Sequence, residues 1–498
     1  MPGARRFAWA SAAGGATATA VFCWMITNAR FDFFAREPFG EIQDAQARSL
    51  FHGHWDVPLR VVGFEGFLVH GRYYTYFGPF LAVVRMPVLL VTSRLDGRLT
   101  IMSMLGALAV LLVASSHLHW QVRSVLRAER PVGPLEAIGV GAFTFLIGAG
   151  SIVVFLGSRA LVYHEVELWG IAWAVVATDA LVAFARRPTR ALAIAAGVAT
   201  CGAMMTRVSM GVGAGVALAC VAGAQLLHRL GRDRGLARLG PGADEHGRFH
   251  LTALLVGGLV AVALYAGVNV ARFGSPYQLP LDKQVFTQLD AQRRAALADN
   301  GGSLFGLKFA PTDYLQYARP DALRLSSRFP WVDFPRHRAT VIGNVTYDTI
   351  APSSSVPASM PGFTVLAVIG IVALARPRRA QATIDLARFW PPIVGGVVGT
   401  AFVGTIAFVA HRYLADFFPP LLFAAIIGAQ RVVSRLEDRP ARPARLAIAG
   451  IAVLLVVGAW ISFGLGRVYQ RPTRPGDPNY SRGVAGAAGV AGRSSTRN

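Results

Sequence analysis

Stretches of about twenty apolar residues recur along almost the whole chain, separated by short arginine-rich segments, and this pattern leaves few folds open. At a rise of about 1.5 Å per residue, a helix of that length matches the roughly 30 Å hydrocarbon core of a bilayer. Such runs lie at 7–27, 99–116, 135–156, 165–185, 191–206, 208–227, 251–271, 361–375, 390–410, 417–430 and 446–463. The apolar stretch 191–227 is too long for one span, and Arg207 near its middle divides it into a hairpin. The expectation is an all-α integral membrane protein of about eleven transmembrane helices with no sizeable soluble domain. A single soluble core is excluded, because 53% of the residues are hydrophobic and the mean hydropathy is +0.45.

A net charge of +22 would suit a nucleic-acid binder, but the arginines sit in short clusters between the apolar runs. That is the pattern of cytoplasmic loops in membrane proteins, and no nucleic-acid partner is expected. The clusters are Arg5 with Arg6, then 121–130, 186–190, 229–238, 376–379 and 431–445. They share one side only if 77–92, which carries Pro79, Arg85 and Pro87, stays out of the spanning set as an interfacial helix. With that choice the outer side receives 28–98, the turn 159–164, the hairpin tip at Arg207, the large loop 272–360 and the turn 411–416. Arg467, Arg471 and Arg474 then fall outside as well, against the rule. Residues 1–466 read as one membrane domain whose first helix is not cleaved, and 467–498 as a disordered tail. Cys23, Cys201 and Cys220 all lie in apolar runs and predict neither a disulfide nor a zinc site.

Polar residues in the outer segments are the candidates for chemistry. In "EIQDAQARSLFHG" residues 44–50 suit a short helix ending at Gly53, and Glu41 and Asp44, three apart, share one of its faces. The run "EGFLVHGRYYTYFGP" then carries Glu65 and returns the chain to the membrane through aromatic residues. "GSRALVYHEVELWG" places Tyr163, His164 and Glu165 at a second outer turn, "MMTRVSM" places Arg207 at a third, and "AHRYLADFF" places Arg412 and Tyr413 at the head of a late helix. Arg272 sits in "ARFGSPYQ" where a helix leaves the membrane. Solvated helix starts and snorkelling arginines explain much of this set without any chemistry. His164 and Glu165 suit a metal only with partners that the spacing does not supply.

The order of "QDAQARSLFHG", "HGRYYTYFGPFLAVVRMPVLLV", "NVARFGSPYQLP" and "HRYLADFFPPLL" resembles the membrane-embedded GT-C glycosyltransferases, above all the bacterial protein mannosyltransferase and aminoarabinose transferase group. The resemblance implies an inverting hexosyl or pentosyl transferase. Its donor is a polyprenyl-phosphate sugar, and its acceptor an envelope glycan, lipid or protein on the outer face of a bacterial plasma membrane. It implies that an acid of the first outer loop is catalytic base or acceptor organiser, a place matched by Asp44, with Glu41 beside it. Ile42 and Gln43 stand between the two where an Asp-x-Glu pair is expected. Attack by a hydroxyl on an anomeric carbon needs a carboxylate for the proton and cations for the departing phosphate. Arg207, Arg412 with Tyr413, and Arg272 are the phosphate candidates, since a guanidinium fork holds two oxygens. Glu65, Tyr163, His164 and Glu165 are left to orient donor or acceptor, with a divalent cation as a possible cofactor. A polyprenyl-glycan flippase and an O-antigen polymerase or ligase, the latter through Arg336 and Arg338, are the alternatives.

Overall fold

The computed structural model describes residues 2–128, 130–376, 384–438 and 442–471. Of the expected tail 467–498, residues 467–469 continue the last helix instead, while the part beyond 471 and most of the 376–379 cluster lie outside the described residues. Helix α1 (Pro2–Ile26) leads into α2 (Glu41–Phe51), the single turn α3 (Leu59–Val62), the hairpin of β1 (Phe67–Val69) with β2 (Arg72–Tyr74), and α4 (Phe80–Val91). Then come α5 (Thr100–Leu126), α6 (Pro134–Ala149), α7 (Ile152–Leu156), α8 (Val162–Arg186), α9 (Arg190–Met204), α10 (Val208–Arg229) and α11 (Leu251–Phe273). The large loop holds α12 (Val285–Leu289), α13 (Ala291–Asp299), α14 (Ala310–Ala318), the pair β3 (Arg324–Leu325) and β4 (Val332–Asp333), β5 (Thr349–Ile350) and α15 (Val356–Ser359). The chain ends in α16 (Pro361–Ala375), α17 (Trp390–Thr400), β6 (Phe408–Val409), α18 (Leu414–Asp438) and α19 (Arg442–Tyr469).

Among the described residues eight helical stretches are long and apolar enough to cross a membrane: α1, α5, α6 with α7, α8, α10, α11, α18 with the turn before it, and α19. The protein is an all-α, multi-pass membrane protein. Three further expected spans are shorter: α9 and α16 have 15 residues each and α17 has 11. The apolar run 390–410 is helical only for its first half. Residues 401–404 turn, and β6 then pairs in parallel with β5. The run 135–156 is interrupted at Gly150, where Ser151 caps the next turn by accepting from the Val153 amide.

The helices pack α1 on α6, α5 on α8, α9 against α8 and α11, α10 on α17, and α16 on α18. Small residues allow the closest of these contacts: a Cβ on Gly14 would lie 2.0 Å from the Gly141 carbonyl oxygen. One end of the bundle collects the loops. There Gln470 Nε2 donates to the carbonyls of Met25 (2.7 Å) and Ser158 (2.8 Å), Phe80 N to Met205 (3.2 Å), and Val285 N to Gly66 (2.9 Å). The opposite end holds arginine-rich connections, with Arg388 donating to the Ala185 carbonyl and Arg238 paired to Asp385, 2.8 and 2.7 Å respectively.

Helix α4 belongs wholly to the loop end. Its first residue is held by Met205, and its last turn by Arg48 of α2, which donates to the carbonyls of Leu89 (2.6 Å) and Thr92 (3.0 Å). With 12 residues it is about 18 Å long, too short to cross.

Candidate functional site

Two buried polar clusters meet at the loop end on either side of the first turns of α8. The first joins the opening acid helix to α8 through α4. Asp44, on α2, accepts from Arg85 (2.8 Å) and from the Gly97 amide (2.6 Å), and the same guanidinium bonds Glu165. All three side chains are at most 4% exposed. Burial pushes the Asp44 carboxyl above its usual range, while Arg85 and the Gly97 amide pull against that shift. An arginine in an apolar helix is costly alone, so two carboxylates on neighbouring elements answer it. Glu41, one helical turn before Asp44, is half-buried with Arg36 and Arg60 at 3.6 and 3.9 Å. Glu41, Asp44, Arg36, Arg60, His54 and Asp56 help line an open polar cleft of about 570 Å3.

The second cluster is built where α8, the α9–α10 turn and the head of α18 converge. Arg207 holds Asp416 with two donors, Nε at 3.0 Å and Nη2 at 2.6 Å, and Ser209 donates to the same carboxylate. Its Nη1 lies 3.5 Å from Glu167 Oε1, and Arg412 Nε lies 3.3 Å from that same oxygen. Glu167 is fully buried, and neither of its oxygens has a hydrogen-bond partner among the described residues. Arg412 is framed by the rings of Tyr413, Tyr163 and Phe408, with its guanidinium carbon 4.9, 5.0 and 5.4 Å from their centres. Its two terminal nitrogens donate to nothing among the described residues, and its side chain keeps 21% exposure.

Tyr163 ties this arginine to the first loop, since its hydroxyl donates to Glu65. Gln284 Nε2 donates to the other Glu65 oxygen at 3.2 Å, and Arg293 donates to Gln284 (2.5 Å) and Asp348 (2.9 Å), which brings in the large loop. Burial holds the Glu65 carboxyl above its usual range, with the Tyr163 hydrogen bond and the charges of Arg293 and Arg412 opposing it.

The structure thus brings together Glu65, Tyr163, Arg207, Arg412 and Tyr413, and places Asp44 and Glu165 in a different cluster. Arg272 stands apart from both. It donates to the carbonyls of Phe77 (2.7 Å) and Thr75 (3.2 Å) and to Gln46 (3.2 Å), with its guanidinium 5.1 Å above the Trp55 ring. That is a clamp for the first loop. His164 also serves the fold: its Nδ1 lies 2.9 Å from the Leu156 carbonyl, and its ring packs near Phe155 and Tyr469. Arg336 and Arg338 are exposed in the large loop.

Glu167, Asp416 and Arg85 were not singled out from sequence as site residues. The signal for each was present, because an ionisable residue inside or bordering an apolar helix needs a partner.

Among the described residues no group of three or more His, Cys, Asp and Glu is arranged to hold a metal ion. The carboxylates that meet here face guanidinium or hydroxyl groups instead: Asp44 and Glu165 on Arg85, Asp416 on Arg207, Glu167 between two arginines, Glu65 on Tyr163. These donor sets do not fit a divalent cation.

No protein-family model matches the chain, and no curated protein matches it. Among solved structures it is similar to the oligosaccharyltransferase of Archaeoglobus fulgidus. The apo form gives 13% identity and a TM-score of 0.47, covering 93% of this chain and 57% of that one. The complex of that enzyme, AglB, with an inhibitory peptide and a dolichol-phosphate gives the same identity and score, at 93% and 56% coverage. The form tethered to an acceptor peptide with an NVT sequon gives 12% identity and a TM-score of 0.47, at 91% and 55% coverage. The chain spans a little over half the length of these structures.

Proposed function

We propose that the chain is a GT-C-type membrane glycosyltransferase that moves a hexose or pentose from a polyprenyl-phosphate donor to an envelope glycan, lipid or protein. The observation that carries this reading is the open fork of Arg412 beside Arg207, both directed at the buried Glu167 oxygen from different turns of the loop end. The carboxylates lie at 0–1% exposure beneath arginine side chains that are about one-fifth exposed, so the face presented outward is cationic. Two such groups at the end of a membrane bundle suit a phosphate that cannot leave the headgroup plane. Beside Asp416 a small apolar cavity of about 30 Å3, lined in part by Ala174, Met210, Gly213, Gly396 and Pro420, lies between α8, α10, α17 and α18.

In the transfer, an acceptor hydroxyl oxygen bonds to the anomeric carbon from the face opposite the phosphate. The carbon–oxygen bond to phosphate breaks, and its electron pair stays on the phosphate oxygen, where Arg412 and Arg207 stabilise it. The hydroxyl proton goes to a carboxylate. We assign that role to Glu65, whose oxygens accept from a neutral hydroxyl and a neutral amide, rather than to Asp44, whose carboxylate is paired to the Arg85 guanidinium across α8 from the arginines. Glu65 is joined to Arg412 through the Tyr163 ring and hydroxyl, and its raised pKa suits a proton acceptor. Asp44 then fixes α8 through Arg85, and the cleft with Glu41 is the approach for the acceptor. The loop end faces the exterior of a bacterial plasma membrane in this reading, because the arginine-rich connections gather at the other end.

Donor binding to purified protein in detergent tests the reading. Arg412→Ala should weaken it by about 1.5–3 kcal/mol, the worth of a charged hydrogen bond, or roughly tenfold to a hundredfold. Arg412→Lys should recover part of the loss, keeping the charge without the fork. Unchanged binding in both Arg412→Ala and Arg207→Ala would overturn the assignment.

A further inference from the structure

The turn between β3 and β4 does not project from the loop end as a solvated loop would. It folds back along α19. Trp460 Nε1 donates to the Pro330 carbonyl at 3.0 Å, and Val332 and Pro330 pack onto Gly464, where an added Cβ would meet the Val332 side chain at 2.3 Å. Arg471, just past the end of α19, reaches back to the Phe329 carbonyl. Along α19 the last charged residue is Arg467, and Gly464 and Trp460 stand three and seven positions before it. At about 1.5 Å per residue the turn therefore reaches roughly 4–10 Å below the level of Arg467. Trp24 near the end of α1 stacks on Phe463 in the same layer, their centres 5.7 Å apart.

The face of α19 on which the turn sits is the bilayer-facing one. Val453, Val456 and Trp460 fall on one side of the helix, and all three are exposed. The turn extends that stripe with apolar groups of its own: Leu325 is 73%, Phe329 56% and Trp331 53% exposed, and Phe329 meets Trp331 edge-on at 5.1 Å. Three large apolar side chains left open beside a lipid-facing helix, and below its last charge, have an obvious solvent. We propose that the β3–β4 turn is a membrane anchor, inserted into the interfacial layer of the same leaflet as the loop end, with Phe329 and Trp331 as its wedge. Aromatic residues favour that layer. The partner is lipid, because the depth along α19 leaves no room for a soluble protein at the same place. Arg328 and Arg471, flanking the turn, would lie at the level of anionic headgroups. The anchor ties the large loop, and with it Arg293 and Gln284 behind Glu65, to the bilayer plane.

The test uses the full chain in nanodiscs of phosphatidylcholine with phosphatidylglycerol, with Cys23, Cys201 and Cys220 replaced by serine. A nitroxide is placed at Trp331→Cys, at Phe329→Cys, or at the exposed Asn344→Cys as reference. Labels at 329 and 331 should be reached by oxygen and shielded from a water-soluble nickel chelate, at a depth of roughly 5–10 Å as for an interfacial segment. The label at 344 should show the reverse. Chelate access at 329 and 331 equal to that at 344 would overturn the proposal and return the turn to the aqueous surface; two positions are used so that one misfolded variant leaves the other to decide.

Discussion

Removing the guanidinium of Arg85 isolates the role of the first cluster. In Arg85→Met the side-chain volume stays similar, but Asp44 and Glu165 lose the charge they share, and each side chain is at most 2% exposed. Breaking a buried ion pair by deleting one partner costs about 3–5 kcal/mol. The loss has a ceiling, because a carboxyl can take up a proton instead of staying charged. At pH 7, protonating a carboxyl whose ordinary pKa is near 4 costs about 4 kcal/mol, so the two together cost no more than about 8 kcal/mol. At pH 5 that ceiling falls to about 3 kcal/mol. The sign follows from Asp44: burial already raises its pKa, and without Arg85 the opposing pull disappears. A carboxyl with a raised folded pKa destabilises as pH climbs from its unfolded value to its folded one, and the penalty vanishes as pH falls back. Thermal unfolding of purified protein in detergent should therefore show Arg85→Met less stable than wild type by about 3–8 kcal/mol at pH 7, with the gap narrowing at pH 5 to below its pH 7 value and to no more than about 3 kcal/mol. Adding Asp44→Asn and Glu165→Gln, which makes the cluster neutral, should restore much of the loss. An Arg85→Met protein as stable as wild type, or one whose deficit is the same at both pH values, would refute the reasoning.

Glu65→Gln should leave donor binding intact and lower turnover by about 10²–10⁴-fold, the usual contribution of a positioned base, measured as sugar transfer at matched folded concentration. Asp44→Asn should reduce stability more than it reduces turnover, which compares the two acids directly in the same pair of assays. Burial pushes Asp313 up to about 7 and Asp348 up to about 6, so docking of the large loop should loosen as pH rises from about 4 through those values. Hydrogen exchange around Tyr347, whose hydroxyl donates to Asp313 at 2.9 Å, should then report faster opening at pH 8 than at pH 5 after correction for intrinsic rates. Single cysteines at Gly71 and Arg98, on either side of α4, should react with an impermeant reagent from the same face of sealed vesicles.

Length and hydropathy made most of the helices legible in the sequence, because an apolar run near twenty residues has little alternative to a spanning helix. The hairpin at Arg207 and the non-spanning α4 followed from the same arithmetic joined to charge placement. The run 390–410 misleads because composition cannot separate a helix from an apolar extended segment; β6 is set by its pairing with β5, some sixty residues away. The candidate site was legible in kind rather than in pairing. Arg207 in an apolar hairpin demands an anion, yet nothing local says that Asp416 answers it from α18. Asp44 was suggested as a base by the resemblance to the GT-C enzymes, and only the packing of α4 against α2 buries it against Arg85. Glu167 escaped notice because Glu165 drew attention two positions earlier, although an acid deeper in the span is the more expensive of the two.

Glu165 and Glu167 lie two positions apart, about 200° around α8, so one rigid helix turn is gripped on one side by the acceptor-cleft cluster and on the other by the arginine pair. A ligand that shifts or rotates this turn from either side changes the other side's geometry. Reciprocity then fixes the outcome: whatever factor one substrate applies to the affinity of the other, it receives back unchanged. Cooperativity between donor and acceptor, and any preferred order of their arrival, would thus be written into the pitch of a single helix rather than into a hinge between domains.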